Sequence, residues 1–196
     1  MKVSFYTLGC KVNLYETEVV INEFKKKGYK IVDFNEKADI VVINTCTVTN
    51  NSDKKSRNII RQAVKNNKGA IIVVMGCYSQ VRVDDIKEIE GVNIIIGNTN
   101  KSKVVKLVEE YIKSNKNITL VEDIMNTSFE PMVLDSFETK TRAFVKIQEG
   151  CNNFCSYCII PYARGNIRSK PKEDVISEII CLVNNGYKEV VLTGIH

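Results

Sequence analysis

The stretch Ile40-Val41-Val42-Ile43-Asn44-Thr45-Cys46 decides the fold. Four β-branched residues in a row, without polar alternation, mark a strand buried on both faces, as in a parallel sheet covered by helices. The signature recurs at Ile71-Ile72-Val73-Val74-Met75, which runs into Gly76-Cys77, and a shorter apolar strand over 2–8 runs into Gly9-Cys10. Helical patterns lie between. Leu14, Val20, Ile21 and Phe24 share one helix face, with Glu16, Glu18 and Lys25 elsewhere, and Lys26-Lys27-Gly28 supplies the stop. A short strand over 29–34 follows. Asn51, Ser52 or Asp53 can cap a second helix to about Asn67. It turns Ile59, Ile60 and Ala63 to one side and carries the basic set Lys54, Lys55, Arg57, Arg61 and Lys65. A helix near 80–90, a strand over 92–96 and a helix over 101–114 complete an α/β, flavodoxin-like parallel-sheet domain over residues 1–117. In such a sheet the C-terminal strand ends share one edge, where ligands bind. Cys10, Cys46 and Cys77 each sit just past a strand end. Their convergence there implies a three-cysteine metal site.

The totals bound the rest. A chain of 196 residues holds one domain and part of another, and 44% apolar with 26% charged residues is a globular balance. The apolar runs are too short to span a bilayer, and the N-terminus has no signal-peptide core, so a cytoplasmic location without membrane contact is the expectation. Seven cysteines in a reducing compartment, an odd number, argue against a disulfide framework. Cys181, inside Ile179-Ile180-Cys181-Leu182-Val183, reads as a plain buried thiol. A net charge of +5 permits a nucleic-acid partner without demanding one. The single histidine, at position 196, leaves little room for imidazole catalysis or a His-rich zinc site.

Residues 118–136 lose the pattern and read as a linker leaning on the first domain. A new strand over 143–147 runs into Gly150-Cys151-Asn152-Asn153-Phe154-Cys155-Ser156-Tyr157-Cys158. A helix over 172–185, closed by Gly186, and a strand over 189–192 follow. Residues 137–196 are thus one βαβ unit, the opening of a larger barrel. Structural zinc usually takes two cysteine pairs and four ligands. Here three thiols stand on one loop with no fourth ligand nearby. Three cysteines and an open position suit an iron–sulfur cluster with one iron free for a small molecule.

The spacing Cys-x3-Cys-x2-Cys after the first strand of a βα array, with Tyr157 before the third cysteine, resembles the radical S-adenosylmethionine enzymes. The resemblance implies a partial TIM-type barrel, here truncated. It implies that Cys151, Cys155 and Cys158 hold a [4Fe–4S] cluster whose open iron binds S-adenosylmethionine. It also places Tyr157 near the adenine and Thr193-Gly194 at the methionine amino group. Thr7-Leu8-Gly9-Cys10-Lys11-Val12-Asn13 with Tyr15-Glu16-Thr17-Glu18, Asn44-Thr45-Cys46-Thr47-Val48-Thr49, Gly76-Cys77 and Cys158-Ile159-Ile160-Pro161-Tyr162-Ala163-Arg164-Gly165 narrow it to the methylthiotransferases. By that resemblance Cys10, Cys46 and Cys77 ligate a second [4Fe–4S] cluster.

Within the family the chain looks like the branch that puts a 2-methylthio group on N6-threonylcarbamoyladenosine at position 37 of tRNA. The implied partners are tRNA and an electron-donor protein. The basic run Arg164, Arg168, Lys170 and Lys172 is a candidate phosphate contact, with Lys170 standing where the family pattern expects Arg. Family members continue through the rest of the barrel and an RNA-binding β domain, so this chain alone is expected not to turn over. Three alternatives stay open: a relative acting on isopentenyladenosine-37, a non-catalytic two-cluster iron–sulfur protein, and a zinc-dependent nucleic-acid-binding module.

Overall fold

A computed structural model of the chain describes residues 1–134 and 141–195. The first half is an α/β sandwich. In chain order it comprises β1 (Lys2–Thr7), α1 (Lys11–Lys26), β2 (Lys30–Val32), β3 (Ile40–Thr45), α2 (Asn50–Asn66), β4 (Ile71–Gly76), α3 (Cys77–Val81), α4 (Val83–Lys87) and β5 (Ile94–Ile96). A 3-10 turn (Lys101–Lys103), α5 (Val104–Ser114) and β6 (Ile118–Leu120) complete it. The six strands pair in parallel in the order β2-β1-β3-β4-β5-β6, the flavodoxin-like arrangement. Every residue of β3 and β4 is buried. Side chains alternate between two cores, as strand geometry requires. Val42, Val73 and Met75 face α1 and α5, whereas Val41, Ile43, Ile72 and Val74 face Ile60, Ala63 and Ile86 of α2 and α4.

Local details depart from the sequence reading. The cap of α2 is Thr49, whose hydroxyl accepts from the Ser52 amide at 3.1 Å, rather than a residue among 51–53. The helix expected near 80–90 is two short helices, broken at Arg82. Residues 118–120, read as the start of a linker, add a sixth strand beside β5. Their single Ile-Thr-Leu triplet is too short to show a period.

The second half opens with β7 (Arg142–Glu149). It continues through α6 (Ile160–Arg164), β8 (Arg168–Ser169), α7 (Lys172–Asn184) and β9 (Glu189–Gly194). β7 and β9 are parallel and joined through α7, the expected βαβ unit, and β8 adds an antiparallel edge to β7. The boundary placed at residue 137 lies outside the described residues. Cys181 is partly rather than fully buried on α7. Among the described residues no helix is long and apolar enough to cross a membrane.

The two halves share a core. Met132, Leu134, Ala143, Val145 and Leu182 belong to the same buried cluster as Tyr15, Val20 and Phe24. α1 packs against β1 on one side and β7 on the other. A helix between two sheets must bury more than one stripe, and α1 buries Asn13, Glu16 and Asn22 along with its apolar residues. Glu16, which the sequence pattern set apart from the apolar face of this helix, is fully buried.

Candidate metal centres

Cys10, Cys46 and Cys77 follow β1, β3 and β4 at one edge of the parallel sheet. Cys10 and Cys46 flank the point where the strand order reverses, the usual ligand crevice of such sheets. Cys10 is exposed, and Cys46 and Cys77 are buried. The approach is close. A methyl group on Gly9 would lie 3.1 Å from Cys46 Sγ. Gly76 holds φ at +105°, and a side chain there would strike Asn44 Oδ1 and the Thr45 backbone, so only glycine delivers Cys77 from β4 into its helix. Ser56 fixes the Cys46 turn, donating to the Cys46 carbonyl at 2.9 Å and accepting from its amide at 3.4 Å. Burial pushes the Cys46 thiol up, the Val48 amide opposes this, and the neighbouring thiols of Cys77 and Cys10 push it further. Among the described residues no three His, Cys, Asp or Glu side chains converge tightly enough to hold a single ion. A cube-shaped cluster asks for a wider triangle, since each thiolate binds a different iron. Soft thiol donors without a carboxylate or imidazole among them fit such a cluster.

Cys151, Cys155 and Cys158 occupy the loop between β7 and α6, also at a C-terminal strand end. Cys151 is buried, Cys158 partly buried and Cys155 exposed. The Cys151 amide donates to the Gly165 carbonyl at 3.0 Å, Cys158 to the Cys155 carbonyl at 2.9 Å, and Ile167 to Asn152 Oδ1 at 2.8 Å. Phe154 lies at φ 47°, a left-handed conformation uncommon for a bulky residue. Gly150, at φ +86°, lies against the Asn166 carbonyl where no side chain fits. Tyr157, at 90% exposure, stands clear of the protein surface. Thr193 and Gly194 pair with Lys146 and Gln148 of β7, which sets them at the same strand edge as Cys151.

The basic run reads differently in three dimensions. Arg164, Arg168 and Lys170 are 1%, 9% and 6% exposed, so they are not a tRNA-facing surface; of the four only Lys172 is exposed. They are drawn inward by carboxylates that sequence reasoning passed over. Glu16 binds Lys101, Lys146 at 3.2 Å and Arg164 at 2.9 Å. Glu149 binds Lys146 at 3.5 Å, Arg164 at 3.1 Å and Arg168 at 3.2 Å. Glu178 binds Lys170. Burial alone would raise the Glu16 carboxyl, but Arg164, Lys101 and Lys146 hold it well below the usual range. Burial would lower the Arg164 guanidinium, yet Cys77, Glu16 and Glu149 drive it well above its usual value. On α2, Arg57 donates to the Tyr78 hydroxyl at 2.9 Å, which leaves Lys54, Lys55, Arg61 and Lys65 as its outward charges. The only hint of the buried network in the sequence was helical spacing, Asn13 and Glu16 being one turn apart on α1.

Comparison with known proteins agrees with this architecture. Residues 2–97 match the family described as uncharacterized protein family UPF0004, and residues 145–196 match the Radical SAM superfamily. A UPF0004 domain followed by the opening of a Radical SAM domain defines the class. Among similar proteins, the threonylcarbamoyladenosine tRNA methylthiotransferase MtaB of Bacillus subtilis is 49% identical over 195 residues, which cover 99% of this chain and 43% of that protein. The Aquifex aeolicus protein of the same name is 43% identical, with 99% and 48% covered. The ribosomal protein uS12 methylthiotransferase RimO of Caldicellulosiruptor saccharolyticus is 37% identical, with 99% and 45% covered. Over nearly its whole length the chain is similar to the methylthiotransferases, and it is MtaB-like among them. It spans less than half the length of each of these relatives.

Proposed function

We propose that this chain is the cluster-bearing part of a tRNA methylthiotransferase, holding one [4Fe–4S] cluster on Cys10, Cys46 and Cys77 and another on Cys151, Cys155 and Cys158. The observation that carries the reading is the placement of two cysteine triads at the C-terminal edges of two sheets, joined through one shared core. The substrate we infer is N6-threonylcarbamoyladenosine at tRNA position 37, modified at C2, because the MtaB proteins named above are its strongest support among the relatives. When bound, the clusters and S-adenosylmethionine supply the radical, the sulfur and the methyl group that this substitution requires.

The chain's own residues supply position and environment. Gly76 and Gly150 let the thiols approach. The exposed side of the Cys151–Cys158 loop gives S-adenosylmethionine access, with Tyr157 to cover the adenine and the end of β9, at Thr193 and Gly194, to receive the methionine amino group. An electron-donor protein would supply the reducing electron to the loop cluster, and the protein works in the cytoplasm. The chain by itself is proposed not to turn over.

Anaerobic reconstitution tests the reading by counting iron and sulfide per chain. About eight of each, with an electron paramagnetic resonance signal altered by S-adenosylmethionine, is expected for two such clusters. Colourless protein holding zinc and no sulfide would overturn it.

A further inference from the structure

Between α1, the 3-10 turn, β7 and α6 lies a sealed group of charges. Glu16, Lys101, Lys146, Glu149 and Arg164 are each at most 1% exposed, and Arg168 is 9% exposed. Four cations face two carboxylates there. Glu130, partly exposed, adds a third carboxylate within reach of Lys146. Among the described residues the cations thus outnumber the carboxylates by one in formal charge, although burial, with Arg164 and Lys146 nearby, lowers the Lys101 ammonium from its ordinary value. Buried charge is costly unless it is matched.

The geometry shows where the surplus points. Asn13 Oδ1 accepts from Arg164 Nη2 at 2.6 Å and from Cys10 Sγ at 3.7 Å, so one oxygen separates guanidinium and thiol. Asn13 Nδ2 donates to the carbonyls of Leu8 and Thr45, at 2.8 and 2.9 Å, in the turns that carry Cys10 and Cys46. α6 packs on α3, the helix that Cys77 begins. The Ala163 carbonyl accepts from Asn98 Nδ2 at 2.6 Å, and Asn98 Oδ1 accepts from Lys101 at 2.7 Å. Arg164 comes from the second half of the chain, six residues beyond Cys158, yet its guanidinium is one Asn13 oxygen away from Cys10 of the first half.

We propose that Arg164 is the built-in counter-charge and positioning residue of the cluster on Cys10, Cys46 and Cys77, so that docking of α6 sets that cluster's reduction potential. This rests on the cluster assignment above. A fixed positive charge in a poorly screened site favours the more negative, reduced state of a neighbouring cluster and raises its potential. Arg164 touches no reacting atom in this role. It couples the two cysteine triads, because the helix that delivers it starts directly after the second triad.

The test uses the full chain with Cys151, Cys155 and Cys158 replaced by alanine, so that only the first triad holds iron after anaerobic reconstitution. Redox titration is followed by electron paramagnetic resonance. Arg164→Gln is expected to make reduction about tenfold harder or more, roughly 59 mV for one electron. Arg164→Lys keeps the charge and should stay close to the parent. Glu16→Gln removes a negative charge from the same network and should shift the potential the opposite way. Loss of packing alone would not give opposite signs. An Arg164→Gln variant with unchanged or higher potential overturns the proposal, as does Glu16→Gln moving in the same direction as Arg164→Gln. Where Arg164→Gln retains no cluster, Glu16→Gln decides: a positive shift supports the role, and none or a negative one refutes it. A parent that binds no iron at the first triad removes the cluster assignment itself, and the role of Arg164 with it.

Discussion

Glu178→Gln isolates the contact that clamps the two halves together. The Glu178 carboxylate is 1% exposed. It accepts hydrogen bonds from the Tyr15 hydroxyl and the Leu134 amide, both at 2.8 Å, and from the Lys170 ammonium. Tyr15 and Lys170 also share the Met132 carbonyl, at 2.6 and 3.0 Å. One carboxylate thus ties α1 and the segment 132–134 to α7 and the residue after β8. Burial raises the Tyr15 phenol well above its ordinary value, and Glu178 adds to this, so Tyr15 stays a proton donor. Glutamine keeps the volume and leaves no cavity. What it removes is the charge opposite Lys170, itself 6% exposed. Stranding one member of a buried ion pair costs about 3–5 kcal/mol. That is a large part of a total stability of about 5–15 kcal/mol. With a urea slope of about 2–3 kcal/mol/M the unfolding midpoint should fall by about 1–2.5 M. The assay is urea unfolding of the iron-free chain, followed by far-ultraviolet circular dichroism and by tyrosine fluorescence, since the chain has eight tyrosines and no tryptophan. Adding Lys170→Met to the same background removes the stranded ammonium and should recover half the loss or more. A cost below about 1 kcal/mol, the value of a surface pair, would refute the reasoning, as would absence of recovery in the double variant.

Other outcomes follow from the same structure. Cys46→Ala should lose about half of the iron and sulfide and leave the S-adenosylmethionine-responsive signal; retention of both clusters would break the division into two triads. Gly150→Ala places a methyl group against the Asn166 carbonyl at a positive φ, so the loop cluster should fail to form while the first triad still reconstitutes, as iron counting would show. The lowered Glu16 carboxyl predicts acid lability. Its contribution is present in full above the ordinary carboxylate range and is lost as pH falls through the depressed folded-state value, because the unfolded chain then binds more protons. Thermal unfolding of the iron-free chain should therefore weaken below about pH 4.3, and Glu16→Gln should flatten that dependence.

The helices and strands that rest on long apolar patterns were legible residue by residue. β3 and β4 announce themselves as uninterrupted apolar runs, and that pattern alone sets the cysteines after them at one edge. The short pieces were not: β6 has three residues, and α3 and α4 five each, below the length at which a period can register. The cap of α2 falls two to four residues before the expected ones because Thr49, Asn51, Ser52 and Asp53 are all competent caps, and only the backbone path selects one.

The charged residues mark the limit more sharply. Arg164, Arg168 and Lys170 form a basic run on paper, and a basic run suggests phosphate. Their partners Glu149 and Glu178 lie 8 to 19 positions away, and Glu16 lies 148 positions from Arg164. No local pattern reports an ion pair across such a separation. The sequence by itself determined the parallel sheet, the βαβ unit and the six cysteines at strand ends, because hydrophobic period and strand-end position are local properties. The tertiary structure alone decided which charges are buried and what they face. Burial of Glu16 depends on α1 being covered twice, by β1 and β7, and Arg164 reaches Asn13 only because α6 docks on α3. Those are consequences of packing between segments far apart in the chain.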